Sequence, residues 1–529
     1  MNVSEVMAQY LKAAGIGHIF GYPGDPNIDF MEAARRAGMQ FVLGRREGTA
    51  GLMAEAYGFL TARPGVCMST LGPGSSNMLN AVAGATLDRV PLIAISGQIE
   101  RKREQTFTHQ VLNHNLIFSP VSKWAAHVSP DTVGAVMRKA LRTAMAERPG
   151  AVHITTHADV VRAEAADERV VLPPLESRQS TQVFGDGDAL KRLTSARRPM
   201  VLAGISALRA GASAALVHFA ETIGCPVVVS PMAKGVMPED HAFYAGTLDM
   251  ACNRYVWEFL RGADLLLCVG FDAVELIKPW TLAVPAIHID STPNTDQIYP
   301  AEIELVGPIP GILDALASAR GTLERWSRAQ LAAHREGLKK AYYAGRIPGK
   351  LNPTDVIDVV RAAVPRDTIA ATDVGSHKLL VGQGWATNEP RAMLMTNGLS
   401  SMGYSLPAGI AAKLLYPGRT VVSFVGDGGF AMVQGELGLA ASLKLGLVVV
   451  VFCDGSLNRI ELKQAQRNYP SWGTLIEPVD IERLAPAMGC DGVTASDEKT
   501  LQEALGRRSP GRPLVIGAVI DPSQYAAQF

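Results

Sequence analysis

The feature that most constrains this chain is its rhythm. Short, β-rich apolar runs alternate with helix-length amphipathic stretches over nearly all of its 529 residues. In the first third the runs fall at 17–21, 40–43, 65–70, 90–96 and 151–155. Strands spaced by helices are joined by crossovers, and crossovers produce parallel sheets covered by helices on both faces. The rhythm returns at 200–202, 226–230, 265–269 and 286–289, and again at 368–371, 420–425, 447–453 and 514–520. Two stretches interrupt it. Residues 162–183 are charged and carry Pro173 and Pro174, and 345–353 is a second break preceded by a polar helical segment at 322–343. The expectation is an α/β protein of three doubly wound parallel-sheet domains at 1–165, 183–320 and 350–529.

Composition narrows the function classes. Fifty basic side chains balance fifty acidic ones, so no positive excess is available to neutralise a nucleic-acid backbone, and nucleic acid is not expected as a partner. The longest apolar runs fall well short of the roughly 20 residues a membrane helix needs, and no export signal is read at the start. The six cysteines are scattered without a C-x-x-C pair, as buried thiols in a reducing compartment would be, so the expected location is the cytoplasm.

The sharpest local signal is Val421-Val422-Ser423-Phe424-Val425-Gly426-Asp427-Gly428-Gly429. An apolar strand runs straight into a Gly-Asp-Gly turn, which places the Asp427 carboxylate at the carboxyl end of a buried strand beside glycine N–H groups open to an anion. A helical run at 432–444 and a second apolar strand follow, ending in Asp454, 27 positions after Asp427. That interval is one strand-helix-strand unit, and right-handed parallel pairing brings both carboxylates to one sheet edge. Gly-Asp-Gly alone is commonly just a tight turn, but a turn requires no second acid at this spacing. Hard oxygen ligands beside exposed N–H groups suit Mg²⁺ holding a diphosphate.

With these residues the sequence resembles the thiamine diphosphate (ThDP) enzymes of the acetolactate synthase, pyruvate oxidase and 2-oxoacid decarboxylase group. Their metal motif is G-D-G followed by Asn a little under thirty residues later, and Asp454 stands where that Asn is expected. The resemblance runs in order along the chain through Phe20 to Gly24, Arg46-Glu47-Gly48, Gly72 to Asn77, Ser96-Gly97-Gln98, Thr372 to His377 and Gly398 to Pro407. It implies a pyrimidine-binding first domain, a central domain and a diphosphate-binding third domain. It implies that Glu47 hydrogen-bonds the aminopyrimidine ring, that Met402 wedges between the two cofactor rings, and that the Ser400 carbonyl takes the 4′-amino group. Ser376 and His377 would contact the diphosphate with Gly426, Gly428 and Gly429, while Asp427, Asp454 and Ser456 would hold both metal and cofactor. It further implies active sites shared between subunits, hence a homodimer or a dimer of dimers.

Substrate-side residues point two ways. Asp25, after Pro23-Gly24, resembles the simple decarboxylases, whose His-His pair here reads His109-Gln110. Gln110 instead resembles acetolactate synthases, as do Pro120 to Lys123 and Lys234 to His241. Asp25 and His109 are suited to proton transfer, whereas Gln110 can only orient or hydrogen-bond. The first expectation is therefore decarboxylation of a 2-oxo acid followed by ligation to a carbonyl acceptor. Simple decarboxylation comes second, and a non-catalytic ThDP-binding homologue third. No G-x-G-x-x-G fingerprint is present to support a nicotinamide dehydrogenase, and the stretch from Leu202 to Ile205 gives no extended nucleotide fingerprint, so tightly bound FAD is not expected. Arg459 and Lys463 are candidates to offset the extra charge of Asp454.

Overall fold

The computed structural model describes residues 1–175, 187–318 and 325–528, so the expected central-domain ends at 183 and 320 and the start of the 322–343 helical segment lie outside the described residues. Among those described, the helix there is Arg328–Tyr342, started by a reciprocal cap between Ser327 and Gln330.

Three six-stranded sheets form, and every recorded strand pair is parallel. The first contains β1 (His18–Tyr22), β2 (Gln40–Leu43), β3 (Gly65–Ser69), β4 (Leu92–Gln98), β5 (Trp124–His127) and β6 (Ala151–His157), in the order β2-β1-β3-β4-β6-β5. The second contains β7 (Pro199–Ala203), β8 (Val227–Val229), β9 (Tyr244–Thr247), β10 (Leu265–Val269), β11 (Ala286–Asp290) and β12 (Ile303–Val306), ordered β12-β11-β10-β7-β8-β9. The third contains β13 (Ile369–Thr372), β14 (Met393–Met395), β15 (Val421–Gly426), β16 (Val448–Cys453), β17 (Asp491–Ala495) and β18 (Leu514–Val519), ordered β14-β13-β15-β16-β18-β17. The central strands are buried because helices cover both faces, which is why they read as unbroken apolar runs rather than alternating ones.

In a sheet of this kind, ligands bind at the carboxyl ends of the two strands where the order reverses. That position lies between β1 and β3 in the first sheet, between β7 and β10 in the second, and between β13 and β15 in the third. The first and third sheets share one connectivity. Their reversal points fall on the motifs singled out above, at residues 22–25 with 70–74 and at 373–377 with 426–427.

The chain forms two compact units. One gathers the first sheet with Gly398–Tyr416 and Val433–Leu443; the other gathers the second and third sheets and includes Pro417–Met432. Sequence position alone assigns helix Ser405–Leu415 to the third domain, yet it packs in the first unit against helix Glu47–Thr61, both being apolar on almost every side. The helical run expected at 432–444 is two helices, Asp427–Val433 and Glu436–Ser442, divided at Gln434-Gly435; the chain passes from the second unit to the first just before that division, between Met432 and Val433.

Candidate active site

In the first unit, Glu47 is the first residue of helix Glu47–Thr61 and is 9% exposed. Asn77 Nδ2, from helix Pro73–Leu87, donates to Glu47 Oε2 at 3.3 Å. The turn before it is held from a distant part of the sequence: the Arg45 N–H and the Thr49 hydroxyl both donate to Glu436 Oε1. Glu436 is itself buried, and burial pushes its carboxyl above the ordinary range. Sequence reasoning missed Glu436 and Asn77 as positioning residues. Asn77 stood inside a quoted motif, whereas nothing local to Glu436 signals a partner 391 positions away.

The turn at Thr70 to Gly74 brings three of the expected residues together. A Cβ on Gly74 would lie 3.0 Å from Glu47 Oε1, one on Gly24 would lie 2.2 Å from Thr70 Oγ1, and one on Gly72 would lie 2.7 Å from the Gln110 carbonyl oxygen. Asp25 follows Gly24 directly and opens a short 3₁₀ turn with its side chain exposed. His109 and Gln110 are exposed as well, and Gln110 has φ +60°, a conformation costly for a side chain with a Cβ. Glycines at 24, 72 and 74 are therefore what lets the Gly24 loop, Gln110 and Glu47 each come close to the Thr70 to Gly74 turn.

Ser400 and Met402 also belong to the first unit. Their segment runs along helix Pro73–Leu87 through two hydrogen bonds, the Gly398 N–H donating to Asp88 and the Ser401 hydroxyl to Asn80. Ser400 has φ +57° and Met402 is half-buried. A non-glycine residue held in the left-handed region is a place where surrounding structure fixes the direction of a carbonyl.

In the second unit the remaining residues converge at the β13/β15 reversal. Asp427 follows β15, and its Oδ2 accepts the N–H groups of Asp454 (3.2 Å) and Gly455 (2.7 Å), which follow β16. Its Oδ1 takes the Gly428 N–H at 2.8 Å, so that N–H is engaged by the aspartate rather than left open. The Ser456 N–H donates to Asp454 Oδ1, and the Ser456 hydroxyl donates to Glu461 Oε2. Burial, then repulsion from Asp427, pushes the Asp454 carboxyl up to about 7; burial raises Asp427 too, against the pull of its three N–H donors.

His377 and Ser376 open helix Ser376–Gly384 at the end of β13. His377 Nε2–H donates to Asp373 at 2.8 Å, one helical turn earlier, and its ring stacks on Phe452. The other edge of that ring faces Gly426, where a Cβ would come within 3.1 Å. The Ser376 hydroxyl donates to Asn458 Oδ1 at 2.7 Å. Asp373, Asn458 and Glu461 are thus further positioning residues; the i, i+4 spacing of Asp373 and His377 was the one sequence signal for them. Of the charges acting on Asp454, Asp427 and Glu461 raise its carboxyl and His377 lowers it, while Arg459 and Lys463 line a cleft of the second unit.

A buried and a half-buried carboxyl that repel each other at one sheet edge fit a divalent cation, because a cation removes the repulsion that holds their protons on. Among the described residues no group of three or more His, Cys, Asp or Glu side chains is placed to hold a metal. No helix among the described residues is long and apolar enough to cross a membrane.

Comparison with known proteins matches residues 1–117 to the thiamine pyrophosphate enzyme N-terminal TPP binding domain, 187–316 to the central domain and 373–517 to the C-terminal TPP binding domain. The chain is 27% identical to an acetolactate synthase of Bacillus subtilis over 98% of its own length and 93% of that protein's. It is 29% identical to a probable acetolactate synthase large subunit of Methanocaldococcus jannaschii, covering 99% and 93%. It is 30% identical to the probable 2-ketoarginine decarboxylase AruI of Pseudomonas aeruginosa, covering 93% and 89%.

Proposed function

The chain belongs to the thiamine pyrophosphate enzyme family, and from that premise we propose that it is a ThDP- and Mg²⁺-dependent enzyme that decarboxylates a 2-oxo acid and passes the remaining acyl unit to a carbonyl acceptor, as an acetolactate synthase does. The observation that carries the proposal is the Asp427–Asp454 pair, a buried and a half-buried acid meeting at the carboxyl ends of β15 and β16, with Ser376, His377 and Ser456 around them. Asp427, Asp454 and Ser456 would hold Mg²⁺, and Ser376, His377 and the 426–429 turn the diphosphate. Bound ThDP supplies the electron sink that takes up the electron pair left when CO₂ departs. Glu47, kept in place by Asn77, would hydrogen-bond the pyrimidine ring. The Ser400 carbonyl and the Met402 side chain orient the two rings.

Asp25 and His109 are exposed on the loops that meet the Thr70 to Gly74 turn beside Glu47, where they would exchange protons with substrate oxygen or carbon. Gln110 cannot titrate and orients the acceptor, which favours ligation over protonation. In this reading the assembly is a homodimer or a dimer of dimers, Glu47 of one copy completing the Asp427 site of another. The six free thiols, five of them buried, support a reducing compartment such as the cytoplasm.

Tightly bound FAD is not part of the proposal. At the β7/β10 reversal, where a dinucleotide would be sought, Glu275 Oε1 accepts the Ile205 N–H at 2.9 Å, and a Cβ on Gly204 would come within 2.5 Å of the Gly270 carbonyl oxygen. A carboxyl group of the chain itself takes the N–H that a diphosphate would use. A yellow purified protein would overturn this.

Simple decarboxylation is the second reading, favoured by Asp25 and by the decarboxylase relative. To separate the two, the protein is incubated with ThDP, Mg²⁺ and a panel of 2-oxo acids, with and without aldehyde or ketone acceptors, and products are identified by mass. A new hydroxyketone supports ligation. Equal aldehyde yield with and without acceptor supports the decarboxylase, and no turnover of any 2-oxo acid leaves a ThDP-binding scaffold.

A further inference from the structure

Helix Asn458–Gln466 has two working faces. Asn458 and Glu461 reach the candidate site, bonding Ser376 and Ser456. Arg459, Leu462, Lys463 and Gln466, spaced i, i+3, i+4 and i+7 and so sharing a neighbouring face, line a cleft of about 820 Å³ in the second unit. The facing wall comes from helix Asn253–Arg261 and from residues 277–281.

The charge of this cleft is one-sided. Arg254, Arg261, Lys278, Arg459 and Lys463 line it against only two acids, Asp249 and Glu258. Both acids are already engaged. Asp249 accepts the Trp257 indole N–H (2.9 Å) and the N–H groups of Ile277 (2.7 Å) and Lys278 (2.9 Å), and Glu258 accepts Arg254 Nε at 2.9 Å. Asp249 thus serves to fold the 277–281 wall, and it is 4% exposed, which leaves the accessible field positive. Met250, Tyr255, Leu379 and Leu462 add apolar surface between the cations. A concave site of this size, cationic at its rim and apolar in patches, matches a small organic polyanion, and guanidinium groups pair with phosphate in a fixed fork.

We propose that this cleft binds a polyphosphorylated small molecule, and that helix Asn458–Gln466 transmits its presence to the Asp427–Asp454 loop through Asn458 and Glu461. The binding site stands independently of the proposed reaction, whereas the coupling rests on the reading that this loop holds Mg²⁺ and ThDP. By linkage, an occupant that shifts the helix changes ThDP affinity by the same factor that ThDP changes its own.

The test is calorimetric titration of ATP, and separately of inorganic tripolyphosphate, into protein saturated with ThDP in excess Mg²⁺ at 0.15 M salt. The titration is repeated on the Lys278→Gln/Lys463→Gln double variant and, without ThDP, on Asp427→Asn. The expected result is saturable binding that the double variant weakens at least tenfold while Asp427→Asn retains it, with ThDP affinity moving at least threefold when the cleft is filled. Tighter binding of ATP than of tripolyphosphate assigns the occupant to nucleotides, and equal binding to inorganic polyphosphate. No binding of either anion, or binding indifferent to the double substitution, overturns the site. Binding with unchanged ThDP affinity overturns the coupling. Failure of ThDP itself to bind, with anion binding intact in Asp427→Asn, would sink the proposed function and leave the cleft standing.

Discussion

Asp454→Asn tests the metal-side reading most directly. In the protein without metal, burial and the neighbouring Asp427 raise the Asp454 carboxyl to about 7. A cation must therefore displace a proton, and the apparent binding constant carries a factor 1/(1 + 10^(7 − pH)), which falls about tenfold from pH 8 to pH 6, equivalent to about 1.4 kcal/mol. With Asn at this position no such proton exists, while the amide oxygen still offers Mg²⁺ a hard ligand. The measurement is calorimetric titration of the equimolar Mg²⁺–ThDP complex into metal-free protein at pH 6, 7 and 8 for both proteins. ThDP's own ionisations affect both alike, so the ratio of the two affinities isolates Asp454. At pH 8 the variant should bind ThDP within about tenfold of the parent, and the parent's relative affinity should drop about tenfold by pH 6. Parallel pH profiles would refute the assignment of that proton to Asp454, and complete loss of cofactor uptake by the variant would refute the claim that an amide suffices.

Other outcomes follow from the same geometry. Glu47→Gln should retain ThDP binding while turnover falls at least about 100-fold, measured by steady-state product formation; less than a tenfold loss would remove Glu47 from the chemistry. Gly72→Ala places a methyl group 2.7 Å from the Gln110 carbonyl at φ +57°, so it should raise KM for the 2-oxo acid about tenfold or more and leave ThDP affinity within about threefold. An unchanged KM would show that the 72/110 contact does not shape the substrate loop. Glu275 is raised to about 8 by burial, so the stability it confers is whole below its unfolded value and is lost as pH climbs through the window from about 4.5 to 8. Between pH 7 and 9 that loss is about 1.4 kcal/mol, and Glu275→Gln should flatten this part of the thermal-unfolding profile; an equal decline in both proteins would count against it.

What could be read in advance was whatever is local. The apolar runs that became β15 and β16 carry their burial in composition, and the turn after each is fixed by the residues that follow, so the meeting of Asp427 and Asp454 is implied by 27 positions of sequence and one handedness rule. His377 belongs to the same class, since its partner Asp373 lies one helical turn away. Glu436 does not. Its role is to close the turn before Glu47, and it does so because the chain has returned to the first unit at Val433, an event set by packing and invisible in a helical run read as continuous. The same limit explains Arg459 and Lys463. Their spacing from Asp454 suggested neutralisation; the structure places them along a cleft, while Asn458 and Glu461 of the same helix bond Ser376 and Ser456. Spacing fixes which residues share a face; the packing of the whole unit decides what that face meets.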